Sequence, residues 1–79
     1  MGTIYILVET RNDTDETGRW YYRTAETAAA TGRMLAGESM PLTRKDRTET
    51  LDKVFADLIT KGRAAIGQYD WVITQAKVN

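Results

Sequence analysis

The sequence predicts an α+β domain in which two helices lie on one face of a three-stranded, mainly antiparallel sheet, in the order β-β-α-α-β. Three observations carry that expectation. Residues 48–62 (TETLDKVFADLITKG) space Leu51, Val54, Phe55, Leu58 and Ile59 at i, i+3, i+4, i+7 and i+8, the stripe of a helix with one buried side. Residues 3–10 (TIYILVET) and 18–24 (GRWYYRT) are rich in β-branched and aromatic side chains and flank a polar interruption, which is the pattern of a hairpin. Residues 69–76 (YDWVITQA) repeat that texture as a third strand.

Taken in order, the strand at 3–10 gives way at 12–18 (NDTDETG) to turn-forming residues with nothing to bury, and the strand at 18–24 follows. Thr24 can cap a helix over 25–36, whose Ala25, Ala28, Ala29, Gly32 and Ala36 allow close approach to another backbone. Thr27, Thr31 and Gly32 weaken its intrinsic propensity, so it depends on tertiary contacts. Gly37 is expected to end it, and 38–45 (ESMPLTRK), which holds the only proline, reads as a loop. Asp46 stands as N-cap of the second helix with Glu49 three residues on, and Gly62 suits its left-handed end. On the polar side of that helix Glu49, Lys53, Asp57 and Lys61 alternate in sign at i, i+4 spacing. Residues 63–68 (RAAIGQ) read as a link, and 77–79 as a fraying end. Counting directions through two antiparallel helices, the third strand should run opposite to the second and lie beside it.

Composition bounds the function. The chain of 79 residues makes one domain, 1–79, near the lower limit of a self-sufficient core. It has no cysteine and no histidine, which removes disulfides, thiolate ligands, the commonest zinc ligand and the commonest general base. Eleven basic and eleven acidic residues cancel, so no global field steers it toward nucleic acid or anionic lipid. No signal pattern or membrane-length apolar run occurs, and a soluble protein inside the cell is expected.

Motifs for chemistry fail on inspection. Asp13, Asp15, Thr17 and Gly18 match the opening of a calcium loop, but Thr24 stands where its bidentate glutamate belongs. Gly62 and Gly67 have phosphate-loop spacing, but Gln68 and Tyr69 replace the required Lys and Ser/Thr. The one serine, Ser39, has no histidine to activate it. No enzyme, metal or cofactor is expected, and binding remains.

Side-chain parity suggests where. Ile4, Ile6 and Val8 are expected to pack under the helices with Trp20, Tyr22, Tyr69, Trp71 and Ile73. The other face would then carry Tyr5, Leu7, Arg19, Tyr21 and Arg23 with Glu9, Asp70, Val72 and Thr74, a mixture of Tyr and Arg around an apolar centre that favours protein interfaces. Asp13, Asp15 and Glu16 form an acidic hairpin tip with no compensating base until Arg19. The alternative is single-stranded nucleic acid binding, Tyr5 and Tyr21 stacking bases while Arg19 and Arg23 hold phosphates. Zero net charge weighs against it, and the basic run Arg44, Lys45, Arg47 slightly for it. An apolar outer face could equally make a two-fold dimer, as in a small dimeric regulatory protein.

In size and texture the chain resembles the small phage-encoded inhibitors of CRISPR immunity, the anti-CRISPR proteins: the hairpin TIYILVET to GRWYYRT with its acidic tip, the TAETAAATGRM helix, and no catalytic signature. The group shares no common motif, so no residue role transfers by position. The resemblance is strongest to inhibitors of type I multi-subunit surveillance complexes, the I-C subtype among them. It implies a non-enzymatic protein that acts in the cytoplasm of the host bacterium, binds an effector subunit and blocks target DNA recognition. Under it, Asp13, Asp15 and Glu16, extended by Glu9 and Glu26, would face the effector's basic DNA-binding surface.

Overall fold

The computed structural model describes residues 2–78, in the order β1 (Gly2–Arg11), β2 (Glu16–Tyr22), α1 (Ala25–Glu38), α2 (Arg47–Thr60), β3 (Arg63–Ile66) and β4 (Tyr69–Val78). The α+β class with two helices holds, but the sheet has four strands in the order β2-β1-β4-β3, all neighbours antiparallel. The additional strand is the stretch expected to be a link. Arg63, Ala64 and Ala65 have little strand propensity, yet Gly62 and Gly67 punctuate both ends with positive φ (73° and 58°). Gly67 and Gln68 make a two-residue connection whose first central position requires that φ, as in a type II′ hairpin.

That short strand changes the topology. It reverses the chain once more before β4, so β4 runs antiparallel to β1 and pairs with it along its length, from Gly2 opposite Val78 to Arg11 opposite Tyr69. The expected neighbour, β2, lies on the far side of β1. The end expected to fray is strand through Val78, and Asn79 lies outside the described residues.

Both helices pack on one face of the sheet, α1 over β1, β2 and β4 and α2 over β3 and β4. Between the layers lie Leu7, Ala28, Ala29, Ala36, Met40, Leu51, Val54, Leu58 and Trp71, with Tyr5, Trp20, Tyr22, Tyr69 and Ile73 packed around them. The parity expected for β1 is therefore inverted. Leu7 is fully buried and opposes Trp20 and Ile73, while Ile4, Ile6 and Val8 face away from the helices. A central strand that is apolar at both parities carries no label for its inner face. Burying each of Leu7, Leu51, Val54 and Leu58 is worth roughly 1.5–3 kcal/mol before entropy.

The helices show why small residues recur in α1. Gly32 is buried where α1, α2 and β1 meet, and a Cβ there would overlap Leu58 Cδ1 and lie 3.7 Å from Leu7 Cδ1. Thr24 caps α1 as expected, its Oγ1 accepting from the Thr27 N–H at 3.1 Å. Gly37 does not end the helix. It is buried within it, where its lack of a side chain leaves room for Arg47, whose Nη2 donates to the Gly37 carbonyl at 3.1 Å. Asp46 occupies the N-cap position of α2 but makes no side-chain cap, because Arg44 and Thr50 hold its carboxylate. Ile59, the last residue of the predicted stripe, is 41% exposed. Among the described residues no helix is long and apolar enough to cross a membrane.

Candidate functional site

The sheet face opposite the helices is bare, and its composition follows from the register. Reading across the sheet, Arg19 of β2 pairs with Val8 of β1, Val8 with Val72 of β4, and Val72 with Arg63 of β3. One row thus runs arginine, valine, valine, arginine from edge to edge. The next row sets Tyr21 beside Ile6 and Ile6 beside Thr74, and Ile4 continues the aliphatic line along β1. Tyr21 is 62% exposed and Val72 38%, while the aliphatics of β1, flanked on both sides, are half-buried. The antiparallel sheet would be expected to turn polar residues to water on this side. Instead it presents a β-branched centre with a cation at each margin.

The predicted site residues divide over the two faces. Arg19 and Tyr21 stand on the open face, and Arg23, just beyond β2, is exposed. Tyr5, Leu7 and Glu9 do not: Leu7 is at the centre of the core, Tyr5 packs against it, and Glu9, on the same side of β1, accepts from the buried Trp71 indole and does not extend the acidic tip. Ile4, Ile6 and Val8 take their place, and Arg63 joins them. The signal that could have found them was the pairing itself. Once Trp20 is assigned to the helix face, a hairpin that places Leu7 opposite it forces Val8 and Ile6 outward.

The acidic tip is tighter and less bare of base than expected. Residues 12–15 form the turn between Arg11 and Glu16, closed by the Asp15 N–H donating to the Arg11 carbonyl at 2.8 Å, with Asp15 at φ 59°. Asp is among the few side chains that accept that conformation readily. Arg11 bridges Asp13 at 2.7 Å and lies 5.8 Å from the Tyr69 ring centre, and Asp13 holds its guanidinium above its ordinary pKa. The tip is also tied sideways. The Asn12 N–H donates to the Gln68 carbonyl at 2.7 Å, and Asn12 Nδ2 to Asp70 Oδ2 at 2.9 Å, so the two hairpin turns form one end of the molecule. Asp15 and Glu16 remain as its exposed carboxylates without an ion pair among the described residues.

The basic run is largely spent on the fold. Arg44 bridges Asp46 at 2.5 Å, which holds that carboxyl below the usual carboxylate range, and Arg47 is turned inward onto Gly37. Lys45 is the remaining exposed cation there. Ser39 Oγ donates to the Ala36 carbonyl at 2.8 Å at the end of α1. Among the described residues no group of three acidic side chains is placed to share a metal ion.

Comparison with known proteins finds no matching family model, no similar curated protein and no matching solved structure.

Proposed function

We propose that this is a non-enzymatic binding protein that docks a larger protein through its open sheet face. The observation that carries the reading is the row Arg19, Val8, Val72, Arg63 with Tyr21 and Ile6 beside it: an aliphatic centre open to water and bounded by arginine. Apolar centres with aromatic and arginine margins are the composition of interface cores, and a contiguous exposed patch of this kind in a small domain marks an interaction site. The arginines fit a partner surface whose apolar docking area is edged with carboxylates. The resemblance in size and texture supplies the class of partner, a subunit of a type I CRISPR effector complex, with docking that obstructs recognition of target DNA. The exposed Asp15 and Glu16 at the sheet's end then face toward the effector's DNA-binding cations.

The nucleic-acid reading loses support from the position of Tyr5. A stacking platform needs rings on the open face, and with Tyr5 packed against the core only Tyr21 remains of the pair. The test is to mix the purified protein with type I effector complexes, follow co-elution, and measure target DNA binding by the complex. Co-elution with loss of DNA binding is expected. Separate elution from every complex tested, with DNA binding intact, would remove the effector as partner.

A further inference from the structure

The sheet edge formed by β3 carries a second surface, built from backbone groups and α2 and sharing only Arg63 with the open face. β3 is one of the two edge strands, β2 being the other. The Ile73 N–H donates to the Gly62 carbonyl at 2.8 Å, which makes those two a hydrogen-bonded pair. By the alternation of an antiparallel ladder, Ala64 with Trp71 and Ile66 with Tyr69 are the next such pairs, and the N–H and C=O groups of Arg63 and Ala65 point outward to the free edge. Beside that edge runs a groove of about 470 Å³ between α2 and β3, lined by Glu49, Lys53, Val54, Asp57, Ala64 and Ile66. The charges along it are Arg44, already paired with Asp46, and Glu49, Lys53 and Asp57 of the helix row Glu49, Lys53, Asp57, Lys61, in which Lys61 lies 3.7 Å from Asp57.

We infer that a second copy of this chain fills the groove, β3 pairing antiparallel with the partner's β3 about a two-fold axis beside Ala64, and α2 lying against the partner's α2. Arg63 exchanges both backbone hydrogen bonds with the partner's Ala65, and the two four-stranded sheets become continuous. The charge row identifies the occupant. Reversed about its midpoint, Glu49 meets the partner's Lys61 and Lys53 meets the partner's Asp57, so the surface is complementary to itself. A strand from another protein would satisfy the edge but not the row. The geometry closes independently. Measured from the turn at Lys61 and Gly62 with about 1.5 Å rise per helical and 3.3 Å per strand residue, Ala64 stands level with Phe55 and Ala56, near the midpoint of the row. A helix centred over β3 and β4 lies about 10 Å from its symmetry mate across a strand spacing, within reach of helix packing.

The test uses the protein alone, so its outcome is separate from that of the docking reading. Sedimentation equilibrium from micromolar to about 1 mM should show a rise from monomer to twice the monomer mass. Ala65→Pro removes one outward N–H at an edge position where proline is tolerated, and should hold the protein monomeric with an unchanged circular dichroism spectrum. Lys53→Glu, on an exposed helix position, should weaken association about tenfold or more, and adding Asp57→Lys should restore it. A monomer throughout the range, or a dimer indifferent to both Ala65→Pro and Lys53→Glu, overturns the inference.

Discussion

Trp71 and Glu9 face each other on neighbouring strands, and the indole Nε1 donates to Glu9 Oε2 at 2.7 Å. Trp71 is fully buried, and Tyr69 stacks along the same strand with ring centres 5.9 Å apart. Without this carboxylate the buried indole N–H would have no acceptor. Glu9→Leu should therefore destabilise the domain by about 1–3 kcal/mol, whereas Glu9→Gln, which keeps an acceptor oxygen, should cost less. The ordering of the denaturant midpoints checks it. Equal midpoints for Glu9→Leu and wild type would remove the bond from the energetics of the core.

The open face makes the second prediction. Tyr21→Ala and Val72→Lys alter exposed positions and should leave the domain folded, the lysine costing up to about 1 kcal/mol because it stands directly opposite Arg63. Affinity for the effector complex, measured by titration calorimetry, should fall about tenfold or more in each. Tyr5→Ala should do the opposite, destabilising the fold because its ring packs against the core. Wild-type affinity in both face variants would move the docking surface elsewhere.

Salt separates the two classes of partner. Docking on an aliphatic centre should weaken only modestly between low and high ionic strength, while phosphate contact through arginines would lose affinity steeply. Competition by a single-stranded oligonucleotide at low salt that disappears at high salt would favour the nucleic-acid reading.

Gly32 leaves room on α1 for the buried Leu58 side chain of α2. In an open helix Gly→Ala would stabilise, but here the added methyl overlaps Leu58 Cδ1. Gly32→Ala should cost about 1–3 kcal/mol in thermal or denaturant unfolding, and shortening the obstructing side chain with Leu58→Val should recover part of that loss. A stabilised Gly32→Ala protein would show that α1 can move away freely.

The Arg44–Asp46 pair gives a pH dependence. Arg44 depresses the folded-state pKa of Asp46, so the pair's contribution is present above the unfolded carboxylate pKa and is lost as pH falls below about 4 through the folded value. The pair is exposed and its contribution small. Asp46→Asn should flatten the acid limb of the stability curve relative to wild type while leaving the neutral-pH spectrum unchanged. An identical acid limb in the two proteins would show that other carboxylates set it.

What the sequence made legible was whatever local spacing determines. The stripe from Leu51 to Leu58, the Thr24 cap and the hairpin of β1 and β2 all depend on neighbours within a few residues. The fourth strand was hidden because Ala64 and Ala65 contribute no pattern of their own and owe their conformation to β4. The candidate face was half visible. Arg19, Tyr21 and Val72 lie on the face that side-chain parity predicts, but on β1 Ile4, Ile6 and Val8 stand where Tyr5 and Leu7 are expected, since β1 is apolar on both sides and only its partners fix its orientation. The Glu9–Trp71 bond joins residues 62 positions apart, beyond the reach of any periodicity.

The placement of β1 between β2 and β4 also sets an order of events during synthesis. β2 follows β1 within a few residues and can zip onto it at once, but the other flank must wait until two helices and a second hairpin have left the ribosome. Through that interval the hairpin is unpaired on both borders, and the β1 border that β4 later covers is the apolar one, the kind of intermediate that holdase chaperones capture.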